Sequence, residues 1–215
     1  MPVPLVPVKA LAEAKGRLAP EVGPLQRRLL AIAMLEDVVA ALQAVPGLAA
    51  PVVVSPDREV WRRADAMGCR VVEEPPGAGD LNRSLASAAA VAGNGSALLV
   101  VAADLPLASA AGLERVLAAA EAPVAVVPSH DGGGTNVLAW RDPASFAPSF
   151  GPDSAARHLA VPGAVRVDEP GLALDVDTAA DLELVAGRLD PSSVTARRLR
   201  DLAMLPQVTG STEEA

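Results

Sequence analysis

Val6-Pro7-Val8-Lys9, running on through Ala14-Lys15-Gly16-Arg17-Leu18, opens the chain with a short apolar run that breaks at once into a cationic loop. The periodic helical pattern that follows begins only near Leu25, so strand, loop and helix succeed one another within the first thirty or so residues. Ligands of open α/β sheets bind beyond the carboxyl ends of the strands. Lys9, Lys15 and Arg17 gather at such an end in a chain of formal net charge −8. That placement suits a polyanion, with a nucleoside triphosphate the first candidate.

Outward from this stretch the same alternation continues. Strand-like runs are expected at Pro4–Val8, Pro51–Ser55, Arg70–Glu73, Ala97–Ala102, Ala122–Pro128 and Asn136–Trp140. Helical periodicity falls between them at Leu25–Val45, Arg58–Met67, Leu81–Ala92 and Ser109–Ala120. Strands separated by helices of this length imply βαβ units and a mostly parallel sheet. Further on, a helix is expected from Pro152-Asp153-Ser154 through Leu159, a short strand near Ala164–Asp168, and a helix from Thr178 to Leu189. Thr178 is a good N-cap, with Asp181 three residues on as a near capping box. Residues 1–208 are expected to form one domain, and the small, polar, acidic stretch 209–215 a disordered tail.

The composition narrows the function classes. The 215 residues can bury a substantial core. Apolar stretches break at charge, Pro or Gly well before the ~20 residues of a spanning helix, and Met-Pro-Val-Pro-Leu-Val lacks a basic leader region. A cytoplasmic protein without a membrane partner is expected. Cys69 is alone, so no disulfide framework or cysteine zinc cluster is on offer. The acidic balance and the scarcity of aromatics (Trp61, Trp140, Phe146, Phe150, no Tyr) argue against nucleic acid as a partner.

Four constellations carry chemistry. In Val100-Val101-Ala102-Ala103-Asp104-Leu105-Pro106 an apolar strand ends in a lone acid. In Leu174-Asp175-Val176-Asp177-Thr178 an Asp-x-Asp follows an apolar run, and alternate residues of an extended segment point the same way. Like charges held together call for a cation, and hard carboxylate oxygens suit Mg²⁺. In Ser129-His130-Asp131-Gly132-Gly133-Gly134-Thr135-Asn136, backbone N–H groups of Gly133 and Gly134 and the side chains of Thr135 and Asn136 are candidate anion donors; a plain hairpin loop would read the same. Phe150-Gly151-Pro152-Asp153-Ser154 opens a helix, with Ser154 either an N-cap or a ligand contact. A turn-rich loop, Glu74-Pro75-Pro76-Gly77 to Leu81-Asn82-Arg83-Ser84, is placed to cradle a base or sugar. No nucleophile elbow, metalloprotease helix or Walker lysine is present. A cationic loop, a carboxylate metal site and a second anion loop together suggest phosphoryl or nucleotidyl transfer.

In order and spacing, Pro-Val-Lys with Ala-Lys-x-Arg-Leu, Leu81-Asn82, Ala103-Asp104-Leu105-Pro106-Leu107, Gly133-Gly134-Thr135-Asn136, Phe150-Gly151-x-x-Ser154 and Asp175-x-Asp177 resemble the phosphoenolpyruvate or 2-phospho-L-lactate guanylyltransferases. Those enzymes serve biosynthesis of the deazaflavin coenzyme factor 420. The resemblance spans residue 4 to about 190. It implies a three-layer, Rossmann-like nucleotide-diphospho-sugar transferase fold of the kind shared with molybdenum-cofactor guanylyltransferases. It further implies that GTP condenses with a phosphorylated three-carbon acid, releasing pyrophosphate. By motif, Asp104, Asp175 and Asp177 would hold Mg²⁺. Lys9, Lys15 and Arg17, with Asp104, would form the catalytic set. Thr135, Gly151 and Ser154 would bind the phospho-acid, with Asn82, Gly133, Gly134 and Asn136 also facing substrate. A homodimer, and hand-over of product to a downstream coenzyme-biosynthesis transferase, are compatible with it. Asp80 stands where the family often has Gly, and Ala155 where an aromatic is common. The alternatives are a molybdopterin- or sugar-nucleotide-forming relative and a non-catalytic nucleotide-binding domain.

Overall fold

The central strands are largely continuous apolar runs because both faces of the sheet are covered. The computed structural model describes residues 1–74, 80–92 and 95–202. It contains β1 (Val3–Pro7), α1 (Pro24–Gln43), β2 (Val52–Ser55), α2 (Arg58–Ala66), β3 (Arg70–Glu73), α3 (Leu81–Ala92) and β4 (Leu98–Val101). Then follow α4 (Ala110–Ala119), β5 (Val124–Pro128), β6 (Thr135–Trp140), α5 (Ser154–Leu159), β7 (Val165–Arg166), α6 (Pro170–Ala173), α7 (Ala179–Ala186) and α8 (Val194–Asp201). The expected tail and part of the Glu74–Ser84 loop lie outside the described residues.

One seven-stranded sheet has the order β3-β2-β1-β4-β6-β5-β7. The β1–β2, β1–β4, β2–β3 and β5–β7 pairs are parallel, while β6 runs antiparallel to both β4 and β5. The sheet is therefore mixed, though mostly parallel as expected. The reversal follows from the short connection between β5 and β6, since a parallel return needs a crossover of about a dozen residues. Alternation along the strands then sorts the core. Val6, Val53, Leu99 and Val101 face α1, α2 and α4 through Leu35, Val38, Val60 and Leu113. Leu5, Val52, Val54 and Val100 face α3 through Leu85, Ala88 and Ala89.

A third cluster joins the other side of α1 (Leu30, Met34) to Val176, Leu182 and Val185 and to Leu199 of α8. It positions the Asp175–Asp177 segment over the cationic loop, because Val176 is buried between two acids that are not. The sequence periodicity did not reveal α8. Its arginine-rich turn buries only Thr195, Ala196 and Leu199, too few apolar positions to form a stripe. Its N-terminus is held instead by Asp37 of α1, which accepts from Val194 N at 2.7 Å and Thr195 N at 2.8 Å.

Candidate active site

Three carboxylates meet where β4, the segment after α6 and the first loop converge. One oxygen each of Asp104, Asp175 and Asp177 lies within 4.8 Å of the others. The two acid-bearing loops are tied through the backbone, Val176 N donating to Asp104 O at 3.2 Å. Oxygens sharing a Mg²⁺-sized centre at about 2.1 Å sit about 3 to 4 Å apart. Three carboxylate oxygens this close could hold one divalent cation, and an all-oxygen donor set favours a hard ion. Burial pushes the Asp175 carboxyl above the usual carboxylate range; the Asn136 hydrogen bond offsets part of this, and the negative Asp104 and Asp177 add to it.

The cationic loop does not stand opposite these acids, as a cradle would; it reaches among them. Lys15 Nζ contacts Asp104 Oδ2 at 2.5 Å and Asp177 Oδ1 at 3.2 Å, and its side chain is 7% exposed. Burial works against the ammonium charge, but the two carboxylates outweigh it and raise the pKa above the ordinary lysine value. Lys15 holds φ 55°, a left-handed conformation that a non-glycine residue adopts only when its surroundings enforce it. Arg17 Nη1 lies 3.5 Å from Asp177 Oδ2. Lys9 is exposed at the rim of the same cleft. The cleft, about 790 Å³, runs from Asp104 and Asp177 past Thr135 to Glu74 and Ser84, a size suited to a nucleotide.

On the far side, residues 149–154 form a clamped loop. Asn82 of α3 holds both backbone groups of Phe150, its Oδ1 accepting from Phe150 N at 2.6 Å and its Nδ2 donating to Phe150 O at 3.2 Å. Arg157 donates to Ser149 O and Pro152 O. Gly151 has φ +118°, which a side chain would resist. Ser154 is the first residue of α5 rather than its cap; Asp153, at φ 55°, is the N-cap.

The family-model comparison decides what these residues belong to: residues 3–192 match the model described as guanylyl transferase CofC like. The chain is a member of that guanylyl transferase family. Relatives include a phosphoenolpyruvate guanylyltransferase of Nocardia farcinica, 46% identical over 206 residues covering 92% of this chain and 90% of that one. Another of the same name, from Streptomyces avermitilis, is 44% identical over 185 residues, covering 83% and 85%. Among solved structures, a nucleotidyl transferase from Methanothermobacter superposes with TM-score 0.63 at 19% identity, covering 86% of this chain and 96% of that one. A protein described as a nucleotide-diphospho-sugar transferase, from Desulfovibrio desulfuricans G20, gives 0.74 at 17% identity, covering 95% and 96%. At such identities the structural likeness speaks for the fold.

Within this guanylyl transferase the expected donor residues divide in two. Thr135 lines the cleft, whereas the glycine run is a hairpin that consumes its own amides. Gly134 N donates to Ser129 Oγ at 2.7 Å, Gly133 N to Asp131 Oδ1 at 3.0 Å and Gly132 N to Ser129 O at 2.8 Å. The expectation that Gly133 and Gly134 offer N–H groups to an anion is corrected accordingly. A Cβ on Gly134 would lie 2.8 Å from Ser129 Oγ, so the glycine serves the turn. Asn136 is likewise spent: buried, it donates to Leu172 O, Ala173 O and Asp175 Oδ1. It orients an acid of the cluster rather than facing substrate, and Asn82 similarly holds a loop. The two histidines, His130 and His158, also belong here. His130 lies 3.6 Å from Asp175 and 3.3 Å from Asp181, and Asp181 in turn caps Asp177 N and Thr178 N. His158 is fully buried behind Thr135.

Proposed function

We propose that this chain condenses GTP with phosphoenolpyruvate or 2-phospho-L-lactate, giving a guanosine-diphosphate-linked acid and pyrophosphate. It does so with Mg²⁺, in the cytoplasm, as a step towards the deazaflavin coenzyme factor 420. The observation that carries the reading is the convergence of Asp104, Asp175, Asp177 and Lys15 on one wall of a nucleotide-sized cleft, in a chain of this family. The names of the relatives support guanylyl transfer to phosphoenolpyruvate; 2-phospho-L-lactate enters through the motif resemblance alone.

Asp104, Asp175 and Asp177 would hold the ion, which when bound neutralises phosphate charge and polarises the α-phosphate. Lys15 and Arg17 hold the triphosphate and stabilise the leaving pyrophosphate, with Lys9 at the rim for the outer phosphates. In the free protein the carboxylates of Asp104 and Asp177 hold the Lys15 pKa above the ordinary lysine value, so it presents an ammonium to the phosphates. Asn136 keeps Asp175 pointed into the cluster. Thr135, Gly151 and Ser154 take the phospho-acid, with the 149–154 loop fixed by Asn82 and Arg157. An oxygen of the acid's phosphate attacks the α-phosphorus, a new P–O bond forms, and the bond to the β-phosphate oxygen breaks with its electrons leaving on pyrophosphate. The attacking oxygen is already an anion, so alignment and charge neutralisation carry the rate and no general base is required.

Incubation with GTP, Mg²⁺ and each acid, followed by pyrophosphate release and product mass, tests this. A guanosine-diphosphate-linked product with one of the acids is expected. Release of pyrophosphate with neither acid, or undiminished turnover in excess EDTA, overturns it.

A further inference from the structure

Behind the proposed acceptor subsite lies a buried imidazole whose proton can be placed by its neighbours. His158 has no exposed surface. Its Nε2 lies 3.0 Å from the backbone nitrogen of Ser149, a group that can only donate, so Nε2 carries a lone pair. A ring that accepts at Nε2 must bear its proton on Nδ1, and Nδ1 sits 2.9 Å from Thr135 Oγ1. The ring nitrogen therefore donates and the threonine oxygen accepts. With one lone pair of Thr135 Oγ1 taken by the ring N–H, the hydroxyl hydrogen is left to donate towards the cleft that Thr135 lines. The opposite polarity would turn two N–H groups, those of His158 and Ser149, against each other in a buried site, at the cost of a lost hydrogen bond and a repulsion.

We infer that His158 is a positioning residue that presets the Thr135 hydroxyl as a hydrogen-bond donor, so that this subsite favours an anionic oxygen of the acceptor. The inference rests on the reading of Thr135 as an acceptor contact. Surroundings hold the ring in place: Phe150 packs edge-on against it, with centroids 4.9 Å apart at 67°. The β5–β6 register also shifts between Val127 and Pro128, opposite Thr135, an irregularity of the kind that re-aims a side chain. Burial, with a smaller contribution from Arg157, pushes the imidazole pKa down to about 4, so the neutral ring persists through the physiological range.

The test has a spectroscopic and a kinetic arm. The chain has two histidines, and ¹⁵N NMR of the wild-type protein is expected to show His158 with a protonated Nδ1 and a bare Nε2; the His158→Asn variant assigns the signal by its loss. A bare Nδ1 on the assigned ring overturns the inference. In kinetics, Thr135→Val and His158→Leu should each raise the acceptor KM about tenfold while the GTP KM stays within about twofold, and the double variant should cost no more than either alone. His158→Asn retains an N–H near the Nδ1 position and should stay within about threefold of wild type, whereas His158→Gln, which does not, should behave like His158→Leu. Additive losses, or no rescue by Asn, overturn the inference while leaving Thr135 as an acceptor contact. An unchanged acceptor KM in Thr135→Val removes the underlying reading and the inference together.

Discussion

Replacing Lys15 by methionine keeps most of the side-chain volume and removes the ammonium that lies 2.5 Å from Asp104 and 3.2 Å from Asp177. Three carboxylates within 4.8 Å of one another are then left without that counter-charge. Removing one partner of a fully buried ion pair costs about 3–5 kcal/mol. Here Asp104 and Asp177 are 27% and 41% exposed, so water screens the remainder and about 2 kcal/mol is expected. For a chain of this length that is roughly 4–8 °C in Tm. A divalent cation can replace the missing charge, and binding to the native state alone stabilises it by mass action. Thermal unfolding followed by circular dichroism, in EDTA and in excess Mg²⁺, reads both effects. The variant should melt lower than wild type in EDTA and recover most of the difference in Mg²⁺. The wild type should gain less from the metal, because the ion must compete with the ammonium already bonded to the same oxygens. Turnover should remain low in both conditions, with GTP use impaired more than acceptor use. Equal melting in EDTA, together with equal metal shifts in the two proteins, would refute the view that Lys15 and the ion share one set of carboxylates.

Asp104→Asn should abolish Mg²⁺-dependent turnover while the far-ultraviolet spectrum is unchanged; full activity would remove Asp104 from the metal set. Asn136→Ala releases Asp175 from its amide partner, so the Mg²⁺ concentration for half-maximal rate should rise about tenfold, and an unaltered Mg²⁺ titration contradicts that. Since the folded-state pKa of His158 is lowered from 6.5 to about 4, the unfolded chain takes up a proton that the native one refuses between those values. Stability from this group is therefore complete above pH ~6.5 and declines as pH falls towards ~4. Urea unfolding between roughly pH 7.5 and pH 5 should lose about 2 kcal/mol more in wild type than in His158→Asn, and parallel slopes would count against the buried neutral ring.

Much of the architecture could be read before folding was considered. Strands with both faces buried appear as unbroken runs such as Leu98–Val101, and Thr178 with Asp181 announces the start of α7, where the capping box indeed forms. Acids at the ends of apolar runs marked a carboxylate cluster that could hold a divalent ion, because a strand end in such a sheet is a ligand-binding edge. The glycine run illustrates the limit. Its composition permits an anion cradle and a tight hairpin alike, and only the hydrogen bonds of Ser129 and Asp131 decide for the hairpin. Arginine-rich α8 shows another, since its N-terminus is anchored by Asp37, more than 150 residues away in the chain.

What the linear order determined by itself is the set of elements and the chemistry available at their ends, because hydrophobic period, caps and charge are local properties. What only the tertiary structure decided is which donors are free and which are already used. Lys15 lies among the acids rather than opposite them, Asn136 and Asn82 serve the backbone, and His158 supports Thr135. Each of these bonds joins residues 23 to 162 positions apart, and a hydrogen bond depends on angles and distances of a few tenths of an ångström that spacing along a chain does not encode.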